Sequence, residues 1–196
     1  MKILLLSDKE EPWLWDYYKP GRLDGIDLVL SCGDLKPEYL SFIVTMGRAP
    51  VLYVRGNHDG NYAKNPPEGC DCIEDTLYNF NGIRILGLGG CPVYNDGPNQ
   101  YTERRMKYRA AKLAHKIRKS GGIDILLTHA PAAGCNDGPD YAHRGFETFN
   151  DIIEKYHPAY HVHGHVHLEY GAEIPRVSDN GGTSVINACG RYIIEI

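Results

Sequence analysis

Short, nearly continuous apolar runs punctuate this chain, each followed by small or charged residues. KILLLS (2–7), DLVLSC (27–32), VLYVR (51–55), IRILGL (83–88) and DILLT (124–128) have the length and composition of buried strands. AYHVHG (159–164), TSVINA (183–188) and RYIIEI (191–196) read the same way. Between them PEYLSFIVTMG (37–47), YTERRMKYRAAKLAHKIRKSG (101–121) and GFETFNDIIEKYH (145–157) carry apolar residues at helical spacing. The Lys and Arg of the second helix form a solvated face, and Gly121-Gly122 supplies its stop. Strand and helix alternate through residue 128, which predicts an α/β class with a largely parallel core. The strand-rich C-terminal third predicts antiparallel pairing. A two-layer sheet core flanked by helices accommodates both halves.

Composition narrows the class further. A chain of 196 residues suits one well-packed domain, residues 1–196, with no internal repeat, low-complexity tract or long linker. The net charge of −4 gives no reason to expect a nucleic-acid surface. No apolar run approaches the roughly 20 residues of a spanning helix. MKILLLSDKEEP meets charges too soon for a signal peptide and reads as a first buried strand. Six cysteines (Cys32, Cys70, Cys72, Cys91, Cys135, Cys189) lack paired Cys-x-x-Cys spacing. They read as the free thiols, mostly small buried hydrophobes, of a cytoplasmic protein.

The chemistry sits where the strands stop. Asp8 follows KILLLS, Gly33-Asp34 follows DLVLSC, and Gly56-Asn57-His58-Asp59 follows VLYVR. His129 follows DILLT, and Gly164, His165 and His167 follow AYHVH. Carboxyl ends of strands form the ligand crevice of open α/β sheets. A single Asp after a strand usually caps a helix; five successive strand ends delivering Asp, Asp, Asn-His, His and His-x-His are hard to assign to capping.

YHVHGHVHLEYG (160–171) holds histidines at 161, 163, 165 and 167. Strand alternation puts His161 and His163 on one face and Tyr160 and Val162 on the other. Gly164 then permits a sharp turn, so His165 and His167 reach the crevice as ligands. His161 and His163 serve mainly to pack or to support those ligands, with His163 the nearer to the site.

Carboxylate, imidazole and amide oxygens without thiolate suit Mn, Fe, Zn or Mg, with Mn the first choice. There are too many candidate ligands for one ion, and two ions bridged by a carboxylate are the economical arrangement. Such a pair, about 3.5–4 Å apart, clamps a phosphoryl group and lowers the pKa of a bridging water, whose hydroxide attacks phosphorus in line.

The ordered blocks Asp8, Gly33-Asp34, Gly56-Asn57-His58-Asp59, His129 and Gly164-His165-Val166-His167 resemble those of the calcineurin-like metallophosphoesterases. The resemblance spans Asp8 to His167. Residues 126–167 further resemble the small branch containing mammalian metallophosphoesterase-domain proteins. The resemblance implies a four-layer αββα sandwich of two mixed sheets. It also implies that Asp8 and His167 bind one ion, that Asn57, His129 and His165 bind the other, and that Asp34 bridges them. His58 would stabilise the transition state or protonate the leaving oxygen, an imidazole being able to hold that proton near neutral pH. Asp59 would orient His58 or cap the next segment. Arg55 could contact phosphate or sit in a salt bridge, and His143 and Arg144 could reach substrate oxygens.

One block departs from the family pattern. Its usual Asp-x-His reads Asp8-Lys9-Glu10 here, so Glu10 stands where a ligand histidine is expected. A carboxylate there would still bind Mn, Mg or Fe, or it could turn outward and weaken the first site. Trp13 and Trp15, in the same unusual loop, are expected to pack beneath it. The sequence therefore predicts a metal-dependent phosphoesterase acting on a phosphodiester or a small phosphorylated metabolite, with oligomeric state left open. The alternative is a degenerate member of the fold serving as a protein-binding scaffold.

Overall fold

Alternate residues of the first strands point into two different cores, and this fixes the layering. The computed structural model describes residues 1–138, 140–169 and 174–196. In chain order the elements begin β1 (Lys2–Ser7), β2 (Leu28–Ser31), α1 (Pro37–Gly47) and β3 (Val51–Tyr53). A 3₁₀ turn (Asp59–Ala63) precedes β4 (Asp71–Cys72), β5 (Thr76–Phe80), β6 (Ile83–Leu88), β7 (Cys91–Pro92) and β8 (Gln100–Tyr101). Then come α2 (Glu103–Ser120), β9 (Ile125–Thr128), α3 (Glu147–Tyr156), β10 (Tyr160–His163), β11 (Val177–Asn180), β12 (Thr183–Asn187) and β13 (Gly190–Glu195).

One sheet has the order β13-β1-β2-β3-β4 and the other β11-β12-β10-β9-β6-β5, while β7 and β8 form a small separate ladder. Ile3, Leu5, Leu28, Leu30 and Leu52 meet Ile85, Ile125, Leu127, Val162 and Ile186 between the two large sheets. On the outer face of the first, Leu4, Leu6 and Val29 pack on Tyr39, Leu40 and Ile43 of α1. On the outer face of the second, Leu86, Leu88 and Leu126 meet Met106, Leu113 and Ile117 of α2 and Phe149 and Ile153 of α3. The result is the four-layer αββα sandwich. Each fully buried Leu or Ile contributes roughly 1.5–3 kcal/mol, so strands apolar on both faces anchor the middle layers.

The pairing corrects the expected antiparallel C-terminal third. β10 runs parallel to both β9 and β12, and only the edges reverse, β11 against β12 and β13 against β1. Burial explains this, because His161, Val162 and His163 are completely buried in the middle of a sheet, where parallel strands are found. The helices start and stop as their sequences require. Thr102 accepts the Arg105 N–H at the head of α2, and Gly121 ends it in the left-handed region at φ 81°. No helix among the described residues is long and apolar enough to cross a membrane.

Candidate metal centre

β1, β2 and β3 of one sheet and β9 and β10 of the other end side by side, and hydrogen bonds tie those ends together. Asp8 N donates to Gly33 O at 3.1 Å, Gly164 N to His129 O at 2.9 Å, and Gly90 N to Arg55 O at 2.7 Å. Three residues that leave these strand ends are non-glycine residues in the left-handed region: Asp8 (φ 63°), Asp34 (φ 57°) and His165 (φ 67°). Such conformations are costly and persist where surrounding contacts over-determine them, commonly at functional sites. Two glycines make the approach close enough. A Cβ on Gly56 would strike the Asp34 carboxylate, and one on Gly164 would strike Ser7 Oγ and Asp8.

Asp8, Asp34 and His129 converge, each offering one ligand atom within 4.8 Å of the others. His129 is fully buried. Its Nδ1–H donates to Cys32 O at 2.8 Å, which leaves Nε2 facing Asn57 Oδ1 at 2.9 Å and Asp34 Oδ2 at 3.3 Å. A ring whose far nitrogen is fixed by a carbonyl is the usual arrangement of a metal-binding histidine. Two carboxylates, an imidazole and an amide oxygen form a donor set that suits a hard or borderline divalent cation.

The electrostatics favour a cation too. Burial works to raise the Asp34 carboxyl, but the charge and hydrogen bond of His129, with the His58 N–H, outweigh it and bring the pKa to about 2. Burial likewise opposes a charge on His129, yet Asp34 and then Asp8 raise its pKa to about 9. The two carboxylates thus favour positive charge at the His129 ring. Asp8 is raised by burial, against the pull of His129. The His167 ring lies close enough to help lower it.

The other expected site residues are placed as follows. The His58 side chain is exposed, with Nε2 4.0 Å from Asp34 Oδ2, and its backbone N–H donates to Asp34 Oδ1 at 2.8 Å. Asp59 is turned elsewhere than to His58: Oδ2 accepts the N–H groups of Asp34 at 2.8 Å and Gly56 at 2.7 Å. Burial, then the Asp34 charge, push its carboxyl up to about 7. His165 is buried; its N–H donates to Asp8, and Nε2 lies 2.8 Å from Ala142 O, to which it donates. Nδ1 is thus its nitrogen left for a metal. The His143 ring lies 5.3 Å from the His165 ring, tilted 43° to it, and pairs with Asp140, so its loop reaches the site through His165. Arg144 is exposed and lies over the Tyr141 ring.

Arg55 Nε donates to Glu74 Oε2 at 2.7 Å, the salt bridge that was one of its two expected roles. Glu10 does not join the converging set: its Oε1 accepts the Lys36 N–H at 3.1 Å. Lys36, the N-cap residue of α1, provides no side-chain cap. The helix start therefore attracts the nearby carboxylate. In the same loop Trp15 packs edge-on against Tyr39 and Phe42, whereas Trp13 is exposed between Arg22 and Arg191.

Sequence reasoning missed one neighbour of the centre. Asn57 Nδ2 donates to the Tyr94 hydroxyl at 2.9 Å, a contact across 37 positions of sequence that no local spacing announces.

His161 and His163 lie behind this edge, fully buried, with ring centroids 5.5 Å apart. Thr128 Oγ1 gives its proton to Ala130 O and so accepts Nε2–H of His161 at 2.9 Å. His163 Nδ1–H donates to Gly164 O at 2.9 Å. Burial drives both pKa values down, that of His163 to about 4.

The strand ends of the double mixed sheet thus present Asp8, Asp34, Asn57 and His129 together. Residues 10–169 match the calcineurin-like phosphoesterase family, and the chain belongs to that family. It is 28% identical over 189 residues to UPF0046 protein C25E10.12 of Caenorhabditis elegans, covering 81% of this chain and 63% of that protein. It is 26% identical to UPF0046 protein K07C11.7 of the same organism, covering 96% of this chain and 69% of the relative. The chain thus spans under two thirds of the first relative's length. Among solved structures it superposes on TT1561 of Thermus thermophilus with a TM-score of 0.62 at 16% identity, covering 96% and 89% of the two chains. That likeness supports the fold alone.

Proposed function

We propose that this protein is a metal-dependent phosphoester hydrolase acting on a phosphodiester or a small phosphorylated metabolite. The observation that carries the reading is the convergence of Asp8, Asp34 and His129 ligand atoms, with the Asn57 amide oxygen beside them. Asp34, between Asp8 and His129, would serve two ions, Mn first with Fe, Zn and Mg as alternatives. Asp8 and His167 would complete one position; Asn57, His129 and His165 the other. When bound, such ions polarise a phosphoryl oxygen and make water acidic enough to attack phosphorus.

The chain's own groups would do the rest. His129, locked by Cys32 O, keeps Nε2 directed at the centre. Asn57 adds a neutral oxygen, so the site does not accumulate charge that would repel a phosphate. His58, exposed and 4.0 Å from Asp34, can hold a proton beside the leaving oxygen and release it as the ester bond breaks. Six unpaired cysteines are in keeping with a reducing compartment such as the cytoplasm.

The alternative scaffold reading draws on Glu10, which is engaged with α1 instead of the centre. One experiment separates the two. Protein purified without chelators should hydrolyse an activated aryl phosphodiester with added Mn and lose that activity in EDTA. No turnover of mono- or diesters with Mn, Fe, Zn or Mg would favour the scaffold.

A further inference from the structure

An asparagine ligand has a difficulty that an aspartate does not: its two ends are opposite in character. One presents lone pairs to a cation and the other presents N–H groups that repel it, yet they are nearly identical in shape. A half-turn about the last side-chain bond would exchange them. Asn57 is buried, so whichever end faces the centre is set by what the opposite end meets.

The nitrogen meets Tyr94. Asn57 Nδ2 donates to the Tyr94 hydroxyl at 2.9 Å, while Oδ1 lies 2.9 Å from His129 Nε2. Tyr94 is itself held. It lies in the loop between β7 and β8, whose Cys91 and Pro92 pair with Gln100 and Tyr101. Gln100 Oε1 accepts the Tyr94 and Asn95 N–H groups at 2.9 and 3.1 Å. The loop is also fastened to the segment that carries Asn57, because Asn99 Nδ2 donates to Gly56 O at 2.8 Å. On its buried side the Tyr94 ring packs against the core beneath α2 and α3.

We infer that Tyr94 is a positioning residue of the metal centre: its hydroxyl accepts a hydrogen bond from the Asn57 amide N–H and so keeps Asn57 Oδ1 turned toward His129 and Asp34. The inference rests on the metal-site reading above and adds to it a group from outside the strand ends. It makes the β7–β8 loop, on the far side of Asn57 from His129, part of the apparatus that holds a cation. Hydrogen-bonded partners behind a ligand commonly account for 10–100-fold in metal affinity.

The test is a double-mutant cycle read by Mn titration calorimetry on the metal-free full chain, with Tyr94→Phe, Asn57→Ala and the double variant. Tyr94→Phe should weaken Mn binding about 10-fold while the metal-free protein melts as the wild type does. In the Asn57→Ala background, with no amide left to orient, the same change should alter the Mn dissociation constant less than about 2-fold. An unchanged Mn affinity in Tyr94→Phe would overturn the inference, and so would full additivity with Asn57→Ala. A rise in KM for an aryl phosphodiester at unchanged Mn affinity would also overturn it, by making Tyr94 a substrate contact. Mn binding without ester turnover in the wild type would remove the hydrolase reading, and the cycle would still decide the role of Tyr94.

Discussion

A single oxygen of Asp59 accepts the backbone N–H of Asp34 at 2.8 Å and that of Gly56 at 2.7 Å. The loops that leave β2 and β3 are therefore joined through one buried carboxylate, and the spacing of Asp34 and Asn57 depends on it. Asp59→Ala would leave the buried Gly56 N–H and the part-buried Asp34 N–H without this partner, a loss of roughly 2–4 kcal/mol. Asp59→Asn keeps an acceptor oxygen and should cost less than about 1.5 kcal/mol. Urea unfolding of the two variants measures this. If Asn is as damaging as Ala, the charge of Asp59 matters more than its role as an acceptor.

His58→Ala should retain bound metal and lose about 10²-fold in rate, the scale of a positioned proton donor. Its exposed ring beside Asp34 predicts a larger loss with alkyl than with nitrophenyl leaving groups, since only the alkoxide needs the proton. Equal losses would leave His58 an electrostatic role only, and a fall in metal content would make it a ligand.

The buried His161 predicts acid sensitivity of folding. Its pKa is well below the ordinary 6.5 because burial, then the neighbouring His163, disfavour the charged form. The unfolded chain therefore binds a proton that the folded chain refuses. The His161 contribution to stability is full above about pH 6.5 and falls as pH drops below it, by up to about 1.4 kcal/mol per unit. Urea unfolding in EDTA at pH 7, 6 and 5 should show His161→Gln losing less stability on acidification than the wild type, by one proton's worth of slope. A slope unaffected by the substitution would mean that His161 stays charged when folded.

Glu10→Ala should leave metal stoichiometry unchanged and destabilise the protein by about 0.5–1 kcal/mol, the scale of a lost helix cap. The Lys36 N–H that it accepts is the reason. Loss of a bound ion in this variant would return Glu10 to the ligands.

The site was more legible than the sheets. Asp8, Asp34, Asn57 and His129 each close an apolar run, so reading strand ends was enough to gather them. Edge strands gave weaker signals. β5 (TLYNF) is mostly half-buried and β11 (VSDN) is largely polar, so neither presents an apolar run. Their turns were readable: Asn81-Gly82 between β5 and β6 has positive φ at both residues, 50° and 94°, as a two-residue hairpin with Asn-Gly requires. Gly181-Gly182 joins β11 to β12 in the same way, with φ of 62° and 89°. The destination of Glu10 was not readable, because it depends on where the first turn of α1 lies relative to the β1 loop. Tyr94 was hidden for a related reason, its partner being brought near only by the closure of the β7–β8 loop.

Asp34 is the carboxylate that meets both Asp8 and His129 at the centre. The most direct test of that role is the Mn-dependent hydrolysis rate of Asp34→Asn, at saturating Mn, against the wild type on an aryl phosphodiester. A bridging Asp34 predicts a loss of more than about 100-fold, beyond the range for residues that only support a ligand. A rate within a few-fold of the wild type would contradict it.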